Sequence, residues 1–369
     1  MTWDTVCADK FCASITDGTH DSPKPQKFGK KLITSKHLMG DYIDFDSANW
    51  ISEDDYKKIT SRSVVEQWDV LFSMIGTVGN IYIEKNLVVK YACKNMGIFK
   101  FAGNKENAFW MYYYLKSPHA QEYVQSHLRG STQSYIPLGS LREMPIAIPN
   151  KKIRSGIVSL LRSLDEKIAI NRAINENLER QAQAIYSSIF IDNADPVWKQ
   201  GHLSDLITVK YGKDHKKLAD GIYPIYGSGG IMRYVERPLY DKESVLIPRK
   251  GTLNNVMYVN QPFWSVDTMF YTEMKLPNVA KFVYHFVKAK DLASMNAGSA
   301  VPSMTTDILN AMEVVIPSAS ALEAFESLVA PMYGAMEANN VQSQVLSKMR
   351  DTLLPKLMSG EIDVSAVQL

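Results

Sequence analysis

Stepping through residues 153–189 by alternate fours and threes picks out Ile157, Leu161, Leu164, Ile168, Asn171, Asn175, Leu178, Ala182, Ile185 and Ile189. The positions between them carry Arg162, Asp165, Glu166, Lys167, Arg172, Glu176, Glu179 and Arg180. An apolar seam of period 3.5 with charged flanks predicts one long helix that needs a partner helix. At 1.5 Å per residue such a rod is roughly 55–60 Å long. The same frame recurs 168 residues later as Phe325, Val329, Met332, Met336, Asn339, Ser343, Leu346, Arg350, Leu353 and Leu357. Asn171 falls on Asn339, and Leu178 on Leu346. Two seams in one register predict a tandem duplication built on two rods.

The stretches between the rods repeat as well. Val70-Leu-Phe-Ser-Met-Ile, the turn Gly76-Thr-Val-Gly79-Asn and Ile81-Tyr-Ile read as strand, turn, strand. Val245-Leu-Ile-Pro-Arg-Lys, Gly251-Thr-Leu-Asn-Asn255 and Val256-Met-Tyr-Val answer them. Helices are expected at 107–115 and 118–128, answered by 279–289, and edge strands at 144–149 and 312–317. The offset between copies is 195 at Trp3 and Trp198, 175 at the Gly-Thr turns, and 168 from the polar loops onward. The first copy therefore carries about 20 extra residues before its turn and about 7 after it, variation of the kind that surface loops carry.

The predicted organisation is a globular domain over 1–150, a first long helix over 151–191, a second globular domain over 192–318, a second long helix over 319–358, and a frayed tail over 359–369. The fold class is α+β: two pseudo-repeated globular domains, each a twisted, mostly antiparallel sheet with short helices, joined by two long antiparallel coiled-coil helices. In an antiparallel pair the midpoint of 153–189, Asn171, faces Asn339. Asparagines at these positions either fix register at some cost in stability or lie on a locally exposed part of the rod. Pro331 predicts a bend or a late start in the second rod, and Pro355 a kink or an end. Arg350 and Ser343 occupy seam slots where apolar residues belong.

Composition narrows the classes. The 41 basic and 39 acidic residues nearly balance, so any nucleic-acid surface must arise from local clustering. No apolar run approaches the ~18 residues of a membrane span, and the first residues do not read as a signal peptide. Three cysteines without a CxxC spacing fit a reducing, cytoplasmic compartment. Cys7, Cys12 and His20 read better as structural residues, with the cysteines buried on the first element, than as a zinc site. The chain has no GxSxG, HExxH or P-loop, and no Asn/Asp-Pro-Pro-aromatic tetrapeptide of the kind that holds a target base.

What remains are clusters of Lys, Arg, Ser, Thr and Gln at loops, the residue types that position phosphates and read base edges. In the first domain these are Lys30, Lys31, Lys36 and His37, the turn Gly76-Thr77, and Arg129 with Ser131-Thr132-Gln133-Ser134. In the second they are Lys213, Lys216 and Lys217, then Tyr226 and Ser228 of the Gly-rich loop, then Arg249, Lys250 and Thr252, and finally Ser299 and Ser303. Each cluster alone reads as a solvated loop; their occurrence in both domains points to a nucleic-acid surface. No metal ligands are assigned.

Several phrases carry a resemblance: Tyr223-Pro-Ile-Tyr-Gly-Ser-Gly-Gly-Ile231, the two Gly-Thr turns, the Gln133 loop, Gln183-Ala-Ile-Tyr186 and Leu357-Met-Ser-Gly-Glu-Ile-Asp363. With the domain–rod–domain–rod order, the whole chain resembles the DNA specificity subunits of type I restriction–modification systems. The resemblance implies a non-catalytic subunit that binds double-stranded DNA. Each globular domain would read one half of a bipartite, asymmetric site, and the rods would set the spacing. It further implies two modification subunits that bring S-adenosylmethionine and N6-adenine methylation, with restriction–translocation subunits in a cleaving form. The competing readings are a coiled-coil adaptor that binds proteins and a self-sufficient methyltransferase or nuclease.

Overall fold

A computed structural model describes residues 3–295 and 303–364; Ser299 lies outside them. The chain forms two compact units, residues 1–170 with 342–369, and residues 171–341. Each unit therefore takes one globular part and a portion of each rod.

In the first unit a four-stranded antiparallel sheet runs in the order Ser14–Asp17, Met96–Lys100, Val70–Ser73, Ile81–Ile83. Beside it lies a three-stranded sheet in which Lys30–Ile33 pairs antiparallel with Asn49–Ile51 and parallel with Tyr91–Cys93. Asp4–Cys7 pairs antiparallel with Pro145–Ile148 as a separate ribbon. The helix Lys105–Lys116 starts on Asn104, whose side chain accepts from the Asn107 amide at 3.1 Å, and buries every residue from Ala108 to Leu115. A helix apolar on all sides can only be a core helix. Pro118–Ser126 follows, capped by Ser117 with proline in its first turn.

The second unit repeats this plan. Its four-stranded sheet is ordered Ile207–Tyr211, Met269–Met274, Ser244–Pro248, Met257–Val259. Its three-stranded sheet places Asp220–Gly227 antiparallel to Gly230–Val235 and parallel to Trp264–Ser265. Lys199–His202 pairs with Glu313–Ile316, and Ala280–Lys288 is the buried helix. The extra length of the first domain includes the helix Glu53–Ser63, capped by Ser52 and carrying three acidic residues in its first turn. The sequence pattern does not show that helix, because its surface is mostly polar and its apolar seam is short.

The rods are the helices Lys151–Ser187, which continues into a π-helical turn at Ser188–Asp192, and Ala319–Met358. In the first unit Ile153, Ile157 and Leu161 share one buried cluster with Leu354, Leu357 and Met358 and with Trp110 and Tyr113. In the second, Ala182, Tyr186 and Phe190 cluster with Leu322, Phe325 and Val329 and with Phe282. The start of one rod meets the end of the other, so the pair is antiparallel. Each fully buried Leu, Ile or Phe contributes about 1.5–3 kcal/mol, and these residues belong equally to the globular cores. Leu164 is buried; Ile168, Leu178, Ile185, Met332, Met336, Leu346 and Leu353 are partly buried, and no residue assigned to the seam is exposed.

The polar seam positions are occupied by specific contacts. Asn171 Nδ2 donates to the Asn339 carbonyl at 3.3 Å, and Asn339 Nδ2 to Asn175 Oδ1 at 2.8 Å. Asn175 Nδ2 reaches the Met336 carbonyl at 3.2 Å and Asn340 Oδ1 at 2.9 Å. A one-residue slip would lose all four. Arg350 donates to Asp165 at 2.7 Å, and Asp165 also accepts the Tyr113 hydroxyl at 2.8 Å, so both rods are tied to the buried helix.

The second unit makes the corresponding tie with His285. His285 Nδ1 lies 2.8 Å from Gln183 Oε1, and Nε2 lies 3.0 Å from the Tyr333 hydroxyl. The amide oxygen accepts only, so Nδ1 carries the proton and Nε2 accepts from Tyr333. Glu179 also binds Tyr284 and Lys288.

Three expectations are corrected. The second rod starts at Ala319 and stays helical past Pro331 and Pro355 to Met358, so neither proline delays or ends it; each removes one amide donor while the seam on either side holds. The tail is packed as far as it is described: Val364 is buried over Gly156, and Gly360 abuts Trp3. Cys7 is exposed, unlike Cys12 and Cys93.

Burial lowers the pKa of His285 from 6.5 to about 4. The unfolded chain then takes up a proton near pH 6.5 that the folded chain refuses until about pH 4. Acidification across this window should cost up to about 3 kcal/mol of stability. Melting temperatures from pH 7 to 4 should fall less steeply in His285→Asn than in the parent chain, though from a lower start. Parallel profiles would remove His285 as the cause.

Candidate DNA interface

The Gly-Thr turns connect adjacent strands of the four-stranded sheets. In the first unit Gly76 has φ +80°, a left-handed conformation that glycine adopts without strain. Its amide donates to the Ser134 carbonyl at 3.2 Å, and Ile136 N donates to Met74 O at 3.0 Å. Ile75 thus bridges to Tyr135, which also exchanges two 2.8 Å hydrogen bonds with Arg129. Asn80, at the end of the turn, donates from Nδ2 to the carbonyls of Ser35 and Leu38, both at 3.3 Å. Three distant stretches therefore meet: the 35–38 segment, the Gly76-Thr77 turn and the 129–135 loop. Exposed on them are Lys36, Thr77, Arg129, Ser131, Thr132, Gln133 and Ser134.

The second unit builds the same junction. Gly251 has φ +87°, and a Cβ there would lie 2.6 Å from Ser228 Oγ. Asn255 Nδ2 donates to the Ser228 carbonyl at 2.8 Å. Lys250 bridges to Ser303, and Met304 N donates to Arg249 O at 2.9 Å. Lys250 and Thr252 are exposed, while Ser228, Arg249 and Ser303 are partly buried. Arg249 stands 5.6 Å from the Tyr211 ring centre and donates to Asp267 O at 3.0 Å.

The Lys213, Lys216 and Lys217 loop is exposed and held by two devices. A Cβ on Gly212 would sit 2.0 Å from Val266 O, so only glycine fits there. Arg233 Nη2 donates to His215 O at 2.8 Å and to Leu218 O at 3.0 Å.

His37 and Tyr226 serve the interior, and Lys30 and Lys31 are half-buried with partners of their own. His37 is buried, and its Nδ1 accepts from the Thr34 amide at 2.9 Å. Burial, followed by the charge of Lys36, holds it below its ordinary pKa. Tyr226 is a core residue whose hydroxyl accepts from Gln261 at 3.3 Å. Lys31 donates to Ala48 O at 2.8 Å and stands 4.0 Å over Trp50, and Lys30 pairs with Glu53 at 3.3 Å. Residue type alone does not reveal which face of a strand or turn a side chain takes. Asn80, Asn255 and Arg233 are absent from the sequence candidates. The two asparagines share the spacing Gly-Thr-x-x-Asn, a signal present in the sequence; Arg233 left none.

The family model described as the type I restriction modification DNA specificity domain matches residues 25–180 and again 197–323. The chain belongs to this family. The type I restriction enzyme MjaIX specificity subunit of Methanocaldococcus jannaschii is 25% identical over 98% of this chain and 94% of its own length. The HindI specificity subunit of Haemophilus influenzae is 19% identical over 82% and 88%. The crystal structure of the type I restriction-modification S subunit from M. genitalium matches with a TM-score of 0.54 at 18% identity, over 97% of this chain and 96% of that one. That likeness shows the fold, with two repeated domains and long helices. This specificity subunit has no described helix long and apolar enough to cross a membrane.

Lys250 is exposed beside the second Gly-Thr turn, which makes it a candidate phosphate contact. Lys250→Ala should weaken DNA binding of the assembled complex about equally for all sequences and reduce the slope of log K against log salt by about 1. Unchanged affinity and slope in a titration from low to high salt would remove Lys250 from the interface.

Proposed function

We propose that this subunit reads a bipartite, asymmetric DNA site, one half through each globular domain, and performs no chemistry itself. The observation that carries the reading is the junction built twice with different exposed side chains. Lys36 and the Thr132–Ser134 loop mark the first copy, and the Gly-rich hairpin turn and Lys250 mark the second. A shared frame suits what two half-sites have in common, the phosphodiester backbone; differing side chains suit different base sequences. Two readers on one chain also raise affinity by effective concentration.

The rods serve as the spacer in this reading. Each contributes residues to both units, and the asparagine contacts hold their register. A fixed spacer lets two domains meet grooves about one turn of B-DNA apart, 34–36 Å. The pseudo-symmetric pair offers equivalent faces to two modification subunits. S-adenosylmethionine and adenine N6-methylation belong to those partners, and restriction–translocation subunits join the cleaving form.

The test is to co-express the chain with its modification subunits and map methylated adenines across the host genome. An asymmetric motif of two specified halves with a constant gap is expected. No chain-dependent methylation from a verified soluble complex would favour an adaptor that binds protein. Deleting one heptad from each rod should alter the gap while leaving both half-motifs unchanged; an unaltered gap would sink the spacer role.

A further inference from the structure

The two Gly-Thr junctions share one side chain that does not face outward. Asn80 directs its amide at the Ser35 and Leu38 carbonyls, and Asn255 directs its amide at the Ser228 carbonyl. Both lie four residues after the left-handed glycine, Gly76 or Gly251. The rest of each junction matches too: the residue before the glycine bridges to the loop that precedes the rod, at Ile75–Tyr135 and Lys250–Ser303.

The segments held by the two asparagines differ in kind. In the first unit it is a 3₁₀ turn, Ser35–His37, with Lys36 exposed. In the second it is the hairpin turn at Ser228 and Gly229, between strands paired at Gly227 and Gly230. One clamp thus grips two different segments. With both amide hydrogens directed at main-chain oxygens, Asn80 has no donor left for a base edge. Its effect on recognition must pass through the segment it holds.

We infer that Asn80 and Asn255 are positioning residues for sequence reading, each fixing the variable segment of its own domain and so setting discrimination in one half-site only. This rests on the two-half reading above. Neutral amide-to-carbonyl bonds suit the task, because they fix a main chain to within the few tenths of an ångström that base-edge hydrogen bonding requires. They also place no charge beside the phosphates.

The experiment uses the complete complex with its modification subunits, the duplex found by methylation mapping, and duplexes with single base-pair changes in each half. Methylation rate and binding are measured for the parent, Asn80→Ala and Asn255→Ala. Asn80→Ala should lower discrimination about tenfold or more in one half and leave the other intact; Asn255→Ala should do the reverse. The salt slope should not change, because no phosphate contact is removed. Asn80→Asp keeps the volume but presents oxygens to two carbonyls, so it should give the same one-sided loss without a cavity. Equal relaxation in both halves, uniform weakening across all sequences, or full discrimination in all three variants would overturn the assignment. A parent complex that fails to discriminate would overturn the two-half reading instead, which keeps the two failures distinct.

Discussion

A helix of 37 residues with one apolar stripe cannot bury that stripe alone, and this requirement organises the chain. Each rod needs the other, and each globular core needs both. Trp110 and Tyr113 of the first domain share a cluster with Ile157 of one rod and Leu357 of the other. Phe282 of the second shares one with Tyr186 and Phe325. The rods are therefore walls of the two cores as well as a connection between sequence segments, and the antiparallel direction follows from which ends meet in each unit.

Polar groups then select one register among those that apolar packing would allow. Leu, Ile and Met fill space tolerantly, and a slip by a heptad would keep much of their burial. The asparagine contacts at the rod midpoints, the Arg350–Asp165–Tyr113 chain and the Gln183–His285–Tyr333 chain would not survive it. Each contributes modestly as a bond, but leaving its donors or acceptors unpaired in a buried place costs about 1–3 kcal/mol.

The proposed recognition surface follows the opposite logic. It stands on turns and loops, where side chains can change without disturbing a core. The parts common to the two copies are a left-handed glycine, a side-chain amide clamp and a backbone bridge to the segment before each rod. Lys36, Gln133 and Lys250 project from that frame. The separation lets one architecture carry two specificities within a single chain.

By itself the sequence determined the duplication, the rods and their register, because periodicity of 3.5 and a constant offset of 168 are properties of residue order; the class of function rested on its resemblance to a known family. It also pointed to the Gly-Thr turns and the loop at 129–134, since glycine at a turn and polar residues between strands have local causes. Tertiary structure decided what depends on distant partners. His37 and Tyr226 look like surface chemistry in a string of letters and lie inside the fold, because burial is set by which strand packs above them. Arg350 looks misplaced in a seam until Asp165, 185 residues away in the chain, meets it. The clamp needs Asn80 beside Ser35 and Leu38, a contact that closure of the sheet creates and that spacing alone does not express.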